Sequence, residues 1–186
     1  MKNIAIFLAS SVLSFAAFPA FAQDAAPFTG VHAEVITGYD VVDADGTDSS
    51  DGILYGLNAG YDFAMGGVIL GLEGEIADSS TKRRFAGGRT VTDRDLYVGA
   101  RIGLPLGDRA LAYGKVGYTN ARFESEVAAG EAGTISSHAN ADGIRLGAGL
   151  EYRLSDMLFL KGEYRYSNYE AGLSRHQVVT GIGARF

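Results

Sequence analysis

A chain of 186 residues with a formal net charge of −6 has no basic surface for a phosphate backbone, so no nucleic-acid partner is expected. It contains no cysteine, which excludes disulfides and thiolate–metal chemistry. Hydrophobic residues make up 47% of it and 26 residues are glycine, a composition that leaves the fold to be read from pattern.

The first element is a leader. Lys2 supplies a positive start, Ile4 to Phe18 is an apolar run, and Pro19 precedes Ala20-Phe21-Ala22. This is the charged, apolar, small-x-small order of a secretory signal peptide, with cleavage expected before Gln23. The apolar core of about 15 residues is short of the ~20 that a membrane helix needs. Residues 1–22 are therefore read as a cleavable signal peptide and 23–186 as one exported domain.

Eight amphipathic segments follow, each alternating with period two as a strand does. The first, about Thr29 to Tyr39, sets Val31, Ala33, Val35, Thr37 and Tyr39 against His32, Glu34, Ile36 and Gly38. The second, about Ile53 to Phe63, opposes Tyr55, Leu57, Ala59 and Tyr61 to Leu54, Gly56, Asn58, Gly60 and Asp62. The third places Val68, Leu70, Leu72 and Ile76 opposite Ile69, Gly71, Glu73 and Glu75; the fourth sets Leu96, Val98, Ala100, Ile102 and Leu104 against Tyr97, Gly99, Arg101 and Gly103. The fifth, Ala110 to Asn120, has the thinnest apolar face. Its parity is fixed by Lys115, which is costly against lipid tails.

The sixth opposes Ile144, Leu146, Ala148, Leu150, Tyr152 and Leu154 to Arg145, Gly147, Gly149, Glu151 and Arg153. The seventh opposes Leu158, Leu160, Tyr164 and Tyr166 to Phe159, Lys161, Glu163 and Arg165. The eighth puts Val178, Thr180, Ile182, Ala184 and Phe186 on one face and Val179, Gly181, Gly183 and Arg185 on the other. The connections alternate in length. Tight turns are expected at Ala64–Gly67, Pro105–Asp108 and Ser155-Asp156, and long polar loops at 40–51, 77–93, 123–141 and 167–175.

Short turns at one end and long loops at the other describe an all-β, eight-stranded antiparallel up-and-down transmembrane β-barrel. Its last strand must pair with its first, because an open edge cannot exist in lipid. A soluble lipocalin-like barrel would turn the apolar face inward instead. Three features favour the membrane: the apolar faces hold almost no charge, the polar faces mix glycine with charges of both signs, and aromatic residues gather near strand ends. That girdle comprises Tyr39, Phe63, Tyr118, Tyr152, Tyr166 and Phe186.

An inward polar face requires its ions to neutralise each other. The expected interior network is Glu34, Asp62, Glu73, Glu75, Glu151 and Glu163 against Arg101, Lys115, Arg145, Arg153, Lys161, Arg165 and Arg185. Eight strands make a barrel just wide enough for side chains to fill, so a plugged interior is expected, with a narrow channel as the alternative.

The alternating segments, Tyr152-Arg153-Leu154, Glu163-Tyr164-Arg165-Tyr166 and the terminal Phe186 resemble the small outer-membrane β-barrel family of Gram-negative bacteria, the opacity-type and OmpA- and OmpX-like proteins. The resemblance implies an integral outer-membrane location and no cofactor. It also implies insertion by the outer-membrane assembly machinery, which recognises a final aromatic residue such as Phe186, and roles in envelope integrity or surface interaction with a host or surface ligand.

Candidate chemistry is sparse, and neither catalytic nor metal-ligating residues are assigned. Lipid A deacylases of this architecture carry His-x-Ser-Asn on a late strand; here Arg165-Tyr166-Ser167-Asn168 has arginine in the histidine position, leaving His176 as the one base that could approach Ser167. His32, His138 and His176 show no ligand spacing. Asp43, Asp45, Asp48 and Asp51 form an acidic loop whose glycine is misplaced for an EF-hand. Lys82, Arg83 and Arg84 gather positive charge in the second long loop and are expected to contact lipopolysaccharide, since arginine pairs with phosphate through two hydrogen bonds.

Overall fold

The computed structural model describes residues 27–44, 50–80, 82–85, 88–128, 134–170 and 173–186, so residues 1–22, read from the sequence as a signal peptide, lie outside the described residues. The strands are β1 (Gly30–Ala44), β2 (Ser50–Met65), β3 (Val68–Ser79), β4 (Lys82–Phe85), β5 (Gly88–Leu106), β6 (Ala110–Ala128), β7 (Thr134–Arg153), β8 (Leu158–Tyr169) and β9 (Leu173–Arg185). Each pairs antiparallel with its neighbours, and β1 pairs with β9 from His32↔Arg185 to Ala44↔Leu173, which closes the sheet. The nine strands make eight staves, because β3 and β4 belong to one stave interrupted near Ser80 and both pair with β5.

The register fixes the shape of the cylinder. A walk from Glu34 through Asn58, Glu75, Tyr97, Thr119, Gly143, Tyr169 and Leu173 returns to β1 at Ala44, ten residues beyond its start. Eight staves with that stagger tilt by about 41° and enclose a backbone cylinder of about 8 Å radius, for usual strand spacings. A lumen of that radius is just wide enough for side chains to fill.

The alternation read from the sequence maps directly onto the wall. Val35 is 58% exposed, Leu72 66% and Ile144 62%, all on the outside, while Arg145 and Arg165 are fully buried within. A soluble barrel would have this reversed. Among the girdle residues, Tyr39, Phe63, Tyr118, Tyr152 and Phe186 are exposed on the outer face and Tyr166 is half-buried.

The tight turns stand where expected. Gly66 and Gly67 have φ of +61° and +90° between Met65 and Val68, which pair across a two-residue connection. Positive φ at both central residues is the type I′ turn, whose twist suits a hairpin and which glycine adopts without strain. The opposite end departs from expectation. Much of 77–93 and 123–141, read as long loops, is paired strand: β5 and β6 continue together to Gly88↔Val127, and β6 and β7 to Ala128↔Thr134. The threonine, valine and serine in these stretches (Thr90, Val91, Thr92, Ser125, Val127, Ser136 and Ser137 among them) suit a pleated ribbon in water as well as a strand in lipid. Their polarity signalled exposure, which was misread as lack of structure.

Candidate functional site

Inside the wall the odd-and-even rule delivers charged side chains from every stave into one narrow space. Seven buried cations (Arg101, Lys115, Arg145, Lys161, Arg165, Arg175 and Arg185) meet eight buried carboxylates (Glu34, Asp40, Asp62, Glu73, Glu75, Asp95, Glu151 and Glu163). Near-balance is required there, because a buried ion without a partner costs several kcal/mol.

The lower group sits near the tight turns. Arg101 Nε donates to Asp62 Oδ1 at 2.8 Å and its Nη2 bonds both Asp62 and Glu151. Arg185 approaches from the last strand, with Nη1 2.6 Å from Asp62 Oδ2 and Nη2 2.7 Å from Glu151 Oε1. His32 lies beside them, its Nδ1 3.2 Å from Asp62 Oδ2. The same Arg185 Nη1 donates to the backbone carbonyl of Phe28, whose buried ring packs with Ile69 and Leu111 at this end of the barrel.

The upper group runs unbroken across the barrel. Arg175 bonds Asp40 through Nε and Nη2, both at 2.6 Å, and reaches Asp95 at 2.8 Å. Arg145 shares Asp95 at 2.5 Å and touches Glu75 at 3.4 Å. Arg165 clamps Glu75 with two bonds of 2.6 and 2.8 Å and also donates to Glu163. Lys115 bridges Glu73 and Glu163 at 2.7 and 2.9 Å, and Lys161 bridges Glu34 and Glu163. Tyr97 lies against this cluster, with Lys115 Nζ 4.6 Å from its ring centre, while the Tyr113 hydroxyl donates to Glu163. Long cationic side chains thus reach carboxylates on other staves, and Arg165–Glu75 and Arg175–Asp95 link strands on opposite sides of the barrel.

Of the interior residues expected from sequence, all but Arg153 are brought into these two groups. Arg153 sits at the rim, partly exposed, with Nη2 3.5 Å from Asp156 and its guanidinium over the Phe28 ring. It is the last residue of its strand, where inward parity points below the lumen. Asp40, Asp95 and Arg175 were missed because they fell in or beside stretches read as loops. Extending the alternation by one or two residues (Asp40 after Gly38, Asp95 before Tyr97, Arg175 before Gln177) would have placed them inside. His32, Ser79, Thr119 and Ser167 likewise join the interior bonding.

Glycines on the inner face make room for this packing. A Cβ at Gly71 would stand 2.0 Å from Asp62 Oδ1 and 3.0 Å from Arg101 Cγ, whereas one at the lipid-facing Gly162 would meet nothing within 4 Å. Gly71→Val should therefore destabilise the barrel by about 1–3 kcal/mol through overpacking, and Gly162→Val should change it far less. Urea unfolding midpoints in lipid vesicles measure the difference.

The remaining candidates separate. Ser167 Oγ accepts from Arg145 Nε at 2.9 Å inside the wall, while His176 lies on the outer face against Tyr164 and Tyr166. Ser167 and His176 thus occupy opposite sides of the sheet, and among the described residues no histidine reaches the hydroxyl. His138 is placed by backbone register opposite Glu124. In the acidic segment, Asp45 and Asp48 lie outside the described residues, and Asp51 accepts from the Tyr39 hydroxyl at 2.8 Å. Among the described residues no group of three His, Asp or Glu side chains is placed to hold a metal. Lys82, Arg83 and Arg84 lie on strand β4, with Arg84 in register with Arg89. Phe186 is exposed on the outer face, its backbone N–H bonded to Val31 at 2.8 Å.

Residues 9–186 match the family described as the outer membrane protein beta-barrel domain. The chain belongs to that family. It is 29% identical over 164 residues to the 31 kDa outer-membrane immunogenic protein of Brucella melitensis, covering 74% of this chain and 68% of the relative. In fold it is similar to the attachment invasion locus protein Ail of Yersinia pestis, at TM-score 0.59 and 20% identity, covering 85% of this chain and 99% of Ail. The Neisserial surface protein A is similar too, at TM-score 0.58 and 13% identity, with coverage of 85% and 98%. The protein is an integral β-barrel of the bacterial outer membrane.

Proposed function

We propose that this barrel is a non-enzymatic, plugged cylinder that anchors a protruding β-ribbon at the cell surface, serving envelope integrity or surface interaction. The observation that carries the reading is the unbroken run of buried ion pairs linking Asp40 to Glu34 through Arg175, Asp95, Arg145, Glu75, Arg165, Glu163 and Lys161. Side chains bonded in this way would hold the interior closed to a solute. The working surface is then the outer end, where β5, β6 and β7 extend beyond the apolar band.

The narrow-channel reading draws on interior polar atoms that no protein group bonds, among them Asn58 Oδ1, Glu73 Oε2 and Gln177 Oε1, which would suit water. Single-channel recording separates the two.

Lipopolysaccharide contact by Lys82, Arg83 and Arg84 fits their place on β4, in the ribbon above the membrane. Replacing all three by serine should reduce lipopolysaccharide co-purification several-fold, roughly as expected for losing three phosphate-pairing cations. Unchanged recovery would remove this contact from the reading. The exposed Phe186 suits recognition by the outer-membrane assembly machinery, and Phe186→Ala should lower the fraction of chain recovered folded in the outer membrane.

A further inference from the structure

The outer face carries a second cationic feature, built differently from the β4 run. Arg94 on β5 stands directly opposite Arg122 on β6. A bulge between Thr92 and Arg94 sets this register, and bulges of this kind re-aim a side chain. Both residues point outward, since Asp95, Tyr97, Thr119 and Ala121 on the alternate positions are buried inside. They lie one outward pair above Leu96 and Asn120, about 5 Å further from the membrane centre at this strand tilt. Below them the face turns to Val98, Tyr118 and Ile144, all half exposed or more. The pair therefore stands at the level of outer-leaflet headgroups.

Directly opposed like charges destabilise a sheet unless an anion lies between them. Among the described residues no acidic side chain does. The Nε atoms of both Arg94 and Arg122 are buried without a hydrogen-bond partner, and no acidic side chain among the described residues pairs with either guanidinium. Two described carboxylates near that face are engaged by neutral donors. Asp78 accepts from the Tyr55 hydroxyl at 3.0 Å, and Asp142 from the Tyr118 hydroxyl at 2.5 Å and Asn120 Nδ2 at 2.6 Å.

We propose that Arg94 and Arg122 form a clamp for a phosphate group carried by a lipid of the outer leaflet, each guanidinium donating two hydrogen bonds to its oxygens. The acyl chains of such a lipid would lie along the Leu96, Val98 and Ile144 face directly below. A soluble phosphate offers the same oxygens without that apolar contact, so the lipid-borne form is favoured. The clamp stands apart from the β4 contact proposed above and does not depend on it.

The test is native mass spectrometry of the full chain in detergent micelles, titrated with bis-phosphorylated lipid A, with dephosphorylated lipid A and with inorganic phosphate. Arg94→Gln/Arg122→Gln should bind lipid A about tenfold more weakly than wild type, with the two lysine replacements intermediate because they keep charge and lose the fork. Arg109→Gln, at the opposite rim, and the Lys82→Ser/Arg83→Ser/Arg84→Ser variant report charge loss elsewhere. Heat-modifiability on gels confirms folding, and single glutamine variants replace the double one if it does not fold.

The clamp is supported if weakening is confined to the Arg94 and Arg122 variants and dephosphorylated lipid A no longer discriminates them from wild type. It is overturned if the glutamine variants bind lipid A normally, if Arg109→Gln loses as much, or if inorganic phosphate binds as tightly as the lipid. Weakening in the β4 variant alone also overturns the clamp, while leaving the β4 contact standing.

Discussion

Arg165→Met should lower the unfolding free energy of the barrel by about 3–5 kcal/mol, the usual cost of removing one member of a buried ion pair. Arg165 is fully buried and makes three charged bonds, two to Glu75 and one to Glu163. Methionine keeps much of the volume, so the loss is electrostatic. Glu75 is left with Arg145 at 3.4 Å and Asn58 at 3.5 Å, neither short enough to replace a bidentate clamp. Glu163 suffers less, because Lys115, Lys161 and Tyr113 still hold it.

The double variant Arg165→Met/Glu75→Gln should recover part of the loss, since it removes the stranded carboxylate along with its partner. Urea unfolding in lipid vesicles, followed by the gel shift between folded and boiled protein, reads both. A loss below about 1 kcal/mol for Arg165→Met would mean that water already solvates this cluster and that the lumen is wetter than its packing indicates.

Much of this architecture was legible because lipid makes the rule strict. Leu70, Leu72 and Ile76 must face tails, so Glu73 and Glu75 between them had to face in. Lys115 fixed its strand despite a thin apolar face, and the register confirms it, with Lys115 paired to Arg101 on one side and Gly147 on the other. Closure of the last strand on the first was likewise forced by the lack of hydrogen-bonding solvent in the membrane.

Above the membrane that constraint ends. Ribbon residues such as Thr90, Ser125 and Ser137 alternate in neither hydropathy nor charge, so the sequence of the outer ribbon read as loop although its backbone pairs as strand. Ion partners were harder still to read. Parity says that Asp62 and Arg185 both face inward, but their meeting across 123 residues depends on the stagger of the whole cylinder. Phe28 carried no signal at all: it precedes β1, and its role at the lower end follows from a left-handed φ of +70° that folds it back beneath Arg185.

The wild-type barrel should show no resolvable conductance steps in planar bilayers, and a charge-balanced truncation of its centre should create them. A cylinder of about 8 Å backbone radius, once lined by ordinary side chains, leaves a lumen that a few large residues can block. Arg145 and Arg165 are, with Arg175, the largest fully buried side chains of the interior, and these two converge on Glu75. Converting Arg145, Arg165, Glu75 and Glu163 to serine removes two cations and two anions, so net charge is held while the central volume is lost. The lower group of Arg101, Asp62, Arg185 and Glu151 is untouched and continues to tie four staves together. Current steps in the quadruple variant but not in wild type would identify these side chains as the plug. Steps of equal size in both would place an ion path through the native network and establish the channel reading. For the quadruple variant, retention of the heat-modifiable band distinguishes an opened barrel from one that has failed to insert.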